Sequence, residues 1–184
     1  MNDVRPYIDN NGPSLMPMET IRFRHAHFSA RFPVGYRYAA SHFWIAPADA
    51  VAAIAPDGHG GIGLWRVGFT KFATRMLGEL VEMTLDVAPG ARVASGQRLG
   101  VVEGFKAVSD LYCVMDGAFV GTNPALSTEA CLTHSDPYLA GWLYQVEGVP
   151  TPETYDVHGY IAILTETIDR LQASRYDGGD GSPA

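Results

Sequence analysis

Between positions 81 and 120 the chain is cut into short apolar runs by closely spaced turn signals. Residues 88–90 read APG, 95–97 read SGQ and 115–117 read MDG. Glycine, proline and aspartate favour the backbone conformations that turns require, so each of these is expected to reverse the chain. Short β-rich runs between such turns predict a compact sandwich or barrel. The fold class is therefore mainly β.

The flanks extend the pattern. Residues 31–45, RFPVGYRYAASHFWI, predict a strand joined to a turn, and residues 50–67 give two apolar runs around PDGHGG, a β-hairpin signal. In TKFATRMLGEL, Phe72, Met76 and Leu77 stand at helical spacing and Gly78 can end the helix. After the loop TNPALSTEACLTHSDPY, GWLYQVEG predicts a closing strand. Beyond Pro150 the period changes: Val157, Tyr160, Ile161, Leu164, Ile168 and Leu171 mark one face of an amphipathic helix, with Thr151, Pro152 and Asp156 as start signals. That helix is expected to act as a strut on the sandwich. The expected organisation is an N-terminal, partly disordered arm (1–31), a β-domain (32–150), a C-terminal helix (151–175) and a disordered tail (176–184).

Composition narrows the function classes. A chain of 184 residues with 47% hydrophobic residues has material for one domain and one core. Its net charge of −7, without any Lys/Arg-rich run, argues against nucleic acid as a partner. No opening signal segment is evident, and no apolar stretch nears the roughly 20 residues that cross a bilayer. Cys113 and Cys131 form neither a disulfide framework nor a zinc site. A cytoplasmic protein without membrane or metal association is expected.

The segment RLGVVEGFKAVSDLYCVMDG carries the chemistry. Strand-like runs flank a turn holding Phe105 and Lys106, so the lysine is expected at a hairpin tip, projecting into solvent. A fully hydrated amine is a poor nucleophile, and nothing at a tip activates it for catalysis. It is well placed, however, for modification by another enzyme. Glu103, three positions before it, and Asp110, four after, would supply negative recognition handles. Taken alone, such a lysine is by default a solvated charge.

The wider pattern resembles the lipoyl-carrying H protein family of the glycine cleavage system. HFWI (42–45), VGFTKFATRMLGELVEM (67–83), PGARVASGQ (89–97), VEGFKAVSD (102–110), GTNPAL (121–126) and SDPYLAGWLYQV (135–146) are similar to family blocks, in the family's order. The resemblance implies a lipoyl/biotinyl-type flattened β-barrel, a barrel-sandwich hybrid, with a short internal helix. It sets lipoate, covalently attached, on Lys106. A lipoate ligase or lipoyltransferase would attach it. Glycine dehydrogenase, aminomethyltransferase and dihydrolipoyl dehydrogenase would use the arm, which shuttles an aminomethyl intermediate. The chain would then be a carrier component and not an enzyme.

Some positions depart from the family. Ser41, Phe43 and Met76 fall where the family lines the cleft for its loaded arm; Ser41 and Asp110 match the family, while Phe43 and Met76 replace a Glu and a His and would make that cleft more apolar. Gly104 replaces a family Ser and is expected to loosen the hairpin tip. The alternatives are an H-like lipoate carrier of another pathway, such as bacterial sulfur oxidation, or a non-lipoylated interaction domain. A biotin carrier is disfavoured because Phe105 and Ala107 stand where biotin sites place Met. GHGGIG (58–63) lacks the Gly-Lys-Ser/Thr ending of a phosphate loop and reads as a turn. His25 and His27 read as a solvated pair, and Trp65, Trp142 and Tyr144 as core. Cys113 is expected to face the core, with a redox pairing to the arm as the other reading.

Overall fold

The computed structural model describes residues 5–9, 12–48 and 62–177. Two hairpins come first, β1 (Arg5–Asp9) with β2 (Gly12–Met18) and β3 (Thr20–His25) with β4 (Phe28–Pro33). Then β5 (Arg37–Tyr38), β6 (Phe43–Pro47) and β7 (Gly63–Phe69) lead into helix α1 (Lys71–Leu77). Strands β8 (Leu80–Leu85), β9 (Arg92–Val93), β10 (Arg98–Gly104), β11 (Val108–Tyr112) and β12 (Met115–Thr122) follow. A one-turn helix α2 (Leu132–Ser135), β13 (Tyr144–Pro150) and the long helix α3 (Val157–Asp177) come last.

Strand β6 shows why the molecule has two cores. The run Phe43 to Ala46 is buried at every position, as expected of a strand covered on both faces. Side chains alternate across a strand, so Phe43 and Ile45 enter one cluster while Trp44 and Ala46 enter another. The first cluster lies between a six-stranded sheet, order β5-β6-β7-β13-β12-β9, and a three-stranded sheet, order β11-β10-β8. Leu99, Val102 and Leu111 of the small sheet meet Val67, Phe119 and Val146 of the large one. These two sheets form the sandwich that the turn spacing predicts, and they fit the flattened barrel that the family resemblance implies.

The second cluster is aromatic and is built by the two ends of the chain. Phe23, Phe28 and Phe32 of the β3–β4 hairpin and Val157, Tyr160, Leu164 and Ile168 of α3 close over Trp44, Tyr38 and Phe72. The arm expected to be partly disordered (1–31) therefore includes most of a packed hairpin that runs from Thr20 to Pro33. Its alternation of arginine and phenylalanine, RFR and RFP, gives the hairpin an apolar inner face that needs a core to bury it. Helix α3 begins at Val157, later than residue 151, because the Asp156 carboxylate accepts from the Gly159 N–H at 2.8 Å and caps it. Thr151 and Pro152 precede the helix. Leu171 of the expected apolar stripe is exposed.

One further turn expectation changes. MDG lies inside β12, where Gly117 pairs with both Val93 and Gly148. A Cβ there would stand 2.3 Å from the Glu147 carbonyl oxygen, so this glycine serves close strand approach and not chain reversal. By contrast, Gly90 (φ 87°) and Gly96 (φ 79°) do turn the chain. The PDGHGG turn lies outside the described residues; its second run begins β7, which pairs antiparallel with β6, and the first run is likewise outside them. Of the tail expected to be disordered (176–184), the first two residues end α3 and the rest lies outside the described residues.

Candidate functional site

The β10–β11 hairpin is seated on the end of α1. Gly78 ends that helix at a positive φ (φ 83°, ψ −168°) that glycine tolerates, and its N–H closes the last turn on the Thr74 carbonyl. The tip then docks through its backbone: Phe105 N–H donates to the Glu79 carbonyl at 3.0 Å, and Lys106 N–H to the Leu77 carbonyl at 3.0 Å. Gly104 N–H closes the tip on the Ala107 carbonyl at 2.9 Å. The bond to Leu77 satisfies a carbonyl that the helix end leaves without an intrahelical partner.

Glycine makes this seating possible on both sides. A Cβ on Gly104 would lie 2.4 Å from the Leu77 carbonyl oxygen, and one on Gly78 would lie 3.1 Å from both the Lys106 nitrogen and Cγ. Gly104 is thus buried at a close approach, and the expectation that it loosens the tip is reversed: its missing side chain lets the tip sit tightly.

Lys106 is exposed. Its Nζ donates to the Arg75 carbonyl at 3.3 Å, and it forms no ion pair with a described residue. Acylation of Nζ would leave an amide N–H able to keep that bond, and no buried partner would be stranded. Side chain and surroundings fit a covalently attached lipoyl group.

The outer face of the small sheet carries the acidic handles. Glu103 is exposed and lies directly opposite Glu82 in the β10–β8 register, so two carboxylates share one face below the tip. Asp110 is exposed but engaged: Arg98 Nε donates to it at 2.7 Å and the Tyr112 hydroxyl at 3.2 Å. The hydrogen bond from Arg98, helped by that from Tyr112, holds the Asp110 carboxyl below its ordinary range. Arg98 also donates to Asp86. Position alone could not single out Glu82 and Arg98; only the strand register brings them to the handles.

The three cleft residues do not form one surface. Met76 is exposed on α1, next to Arg75, whose carbonyl takes the Lys106 amine. Ser41 is exposed in the turn whose neighbour His42 accepts the Thr70 N–H at the opposite end of that helix. Seven helical residues separate those ends by about 10 Å. Phe43 is 4% exposed and packs on Phe69 at 5.1 Å between ring centroids. It is core, because its strand turns that side chain toward the small sheet.

A β-sandwich that presents an accessible lysine on a firmly seated hairpin has the architecture of a lipoyl-type carrier domain. The comparisons with known proteins agree. The glycine cleavage H-protein family model matches residues 58–158. A glycine cleavage system H protein of Micrococcus luteus is 37% identical over 134 residues, 68% of this chain and 95% of that relative. One of Beutenbergia cavernae is 34% identical over 134 residues, 72% of this chain and 96% of the relative. The crystal structure of a glycine cleavage system H protein from Mycobacterium marinum superimposes with a TM-score of 0.59 at 36% identity, covering 71% of this chain and 97% of that one. The chain belongs to the glycine cleavage H-protein family of lipoyl carriers. A carrier of another pathway, such as sulfur oxidation, is not favoured by these relatives.

Proposed function

We propose that Lys106 is the lipoyl attachment point and that the chain works as a non-catalytic carrier in glycine cleavage. The observation that carries this reading is the exposed Lys106 side chain on a hairpin held by the Leu77 and Glu79 carbonyls, within VEGFKAVSD. Backbone docking fixes where the arm is rooted while its amine stays accessible to a lipoate ligase or lipoyltransferase. Glu103, with Glu82 opposite it, offers that enzyme an anionic surface; Asp110 contributes through the Arg98-bound carboxylate. Once attached, the dithiolane supplies the redox and group-carrying chemistry. The protein's own part is to root the arm, to keep charge near its base, and to present it to successive partners at high effective concentration. Those partners would be glycine dehydrogenase, aminomethyltransferase and dihydrolipoyl dehydrogenase. Met76, beside the root, is the cleft residue best placed to touch the arm; Ser41 would meet it only at the far end of α1. The two free thiols, Cys113 and Cys131, suit a reducing cytoplasmic setting. Among the described residues no helix is long and apolar enough to cross a membrane.

The test is intact mass after expression with a lipoate ligase and lipoate. A lipoyl increment that Lys106→Ala abolishes is expected. Protein that stays unmodified with ligase and lipoate both supplied would end the reading. Lipoylated protein that glycine dehydrogenase cannot use, beside an H protein that it can, would end the assignment to glycine cleavage.

A further inference from the structure

The β3–β4 hairpin has an outer face unlike the rest of this acidic chain. The outer face and turn of this hairpin hold Arg22, Arg24, Arg31 and His27 and no acidic residue, in a protein of net charge −7, while His25 turns inward and pairs with Asp169 of α3 at 2.6 Å. Arg22, Arg24 and Arg31 are all exposed and point away from the aromatic core, since Phe23, Phe28 and Phe32 occupy the inward positions. Arg22 lies directly opposite Arg31 in the register, an arrangement that costs stability because like charges face each other. Arg22 and Arg24 make no hydrogen bond or ion pair to a described residue. At the turn end of this face a shallow groove is lined by Arg22, Arg24, Ala26, His27, Phe28 and Ser29.

The face is placed beside the carrier arm. Arg75 Nη1 donates to the His27 carbonyl at 3.2 Å, and its guanidinium lies 5.6 Å over the Phe28 ring. The main-chain carbonyl of the same Arg75 accepts from Lys106 Nζ. One residue thus joins the root of the arm to the hairpin turn, where His27 shares a groove with Arg22 and Arg24.

We propose that the outer face of the β3–β4 hairpin docks an acidic patch on one of the enzymes that use the carrier arm. The proposal rests on the carrier reading of Lys106. Complementary charge at the rim of an interface mainly speeds encounter and fixes orientation, and here it would set the arm toward the partner's entrance. Nucleic acid fits less well, because three arginines on a chain of net charge −7 give few phosphate contacts. A bilayer fits less well too, because the exposed strand positions beside the arginines carry no apolar side chain to insert.

The experiment uses the full lipoylated chain and the doubly reversed variant Arg22→Glu/Arg24→Glu, with Arg22→Lys/Arg24→Lys as the conservative control. Lipoyl content by mass and the thermal midpoint are checked first. The parent chain must be lipoylated and turned over; if it is not, the carrier reading fails, and this proposal with it. KM for the carrier is then measured with glycine dehydrogenase, aminomethyltransferase and dihydrolipoyl dehydrogenase at low and high salt. For at least one enzyme KM is expected to rise about fivefold or more at low salt, with kcat at saturation little changed, the lysine variant near the parent, and the difference fading at high salt. Unchanged KM with all three enzymes, or a difference that ignores salt, would overturn the docking face. So would RNA binding, binding to anionic vesicles, or a dimer of the parent chain, if the charge reversal abolished it while KM stayed constant.

Discussion

Gly104 packs so tightly on Leu77 that a Cβ would lie 2.4 Å from the Leu77 carbonyl oxygen and 2.6 Å from its Cγ. The obstacle is partly main chain at a helix end, which cannot swing aside as a flexible side chain would. Gly104→Ala is therefore expected to lower stability by about 1–3 kcal/mol. The same displacement should weaken the bond from the Lys106 N–H to the Leu77 carbonyl, so that amide should exchange with deuterium faster than in the parent. Denaturant midpoint and exchange rate check the two parts separately. An alanine variant as stable as the parent, with Lys106 equally protected, would contradict the seating.

His42 couples acidity to stability. Its ring sits 4.6 Å from Phe72, its Nδ1 is 2.9 Å from the Tyr160 hydroxyl, and burial lowers its pKa to about 4. The unfolded chain takes up this proton near the ordinary histidine value, about 6.5. Between those values the unfolded state binds more protons, so stability should rise with pH from about 4 to about 6.5 and be fully present above it. The contribution is bounded at about 3 kcal/mol. His42 also has φ 67°, a conformation that asparagine tolerates among non-glycine residues. His42→Asn should therefore flatten the pH dependence across that window without unfolding the chain, as urea titrations at several pH values would reveal.

The two cysteines should differ in reactivity. Cys113 is 1% exposed, its thiol donates to the Met115 carbonyl at 3.1 Å, and burial pushes its pKa up. Cys131 is exposed. A maleimide counted by mass should add once to the native protein and twice only after denaturation. Two fast additions to native protein would show that Cys113 opens readily and would revive a redox exchange with the arm.

The sandwich, helix α1 and the lysine hairpin were legible because each rests on local signals: turn glycines, the Phe72–Leu77 spacing and the VEGFKAVSD motif. What escaped depends on partners distant in sequence. The N-terminal hairpin reads as an arm until α3 supplies a second core for Phe23, Phe28 and Phe32. Gly117 and Gly104 look like turn residues, yet their role is set by Glu147 and Leu77 across the contact. Glu82 becomes part of the acidic handle only through the β8–β10 register. Phe43 matches a cleft position by alignment, whereas strand alternation sends it inward.

Tyr160 shows how α3 holds the second core together. Its ring stacks on Tyr38 at 4.8 Å and 14°, and its hydroxyl stands 2.9 Å from both His42 Nδ1 and Thr70 Oγ1. Thr70 is itself the N-cap of α1, so one hydroxyl ties α3 to the helix on which the lysine hairpin sits. Tyr160→Phe should keep the stack and lose the hydroxyl, costing about 1–3 kcal/mol because Thr70 and His42 are left short of a partner. Tyr160→Ala should cost about 3–5 kcal/mol through the cavity it leaves. If α3 is the strut that orders the β3–β4 hairpin, hydrogen exchange in residues 20–33 should speed up in the alanine variant and change little in the phenylalanine one. Exchange there that ignores both substitutions would mean the hairpin holds its place without the helix.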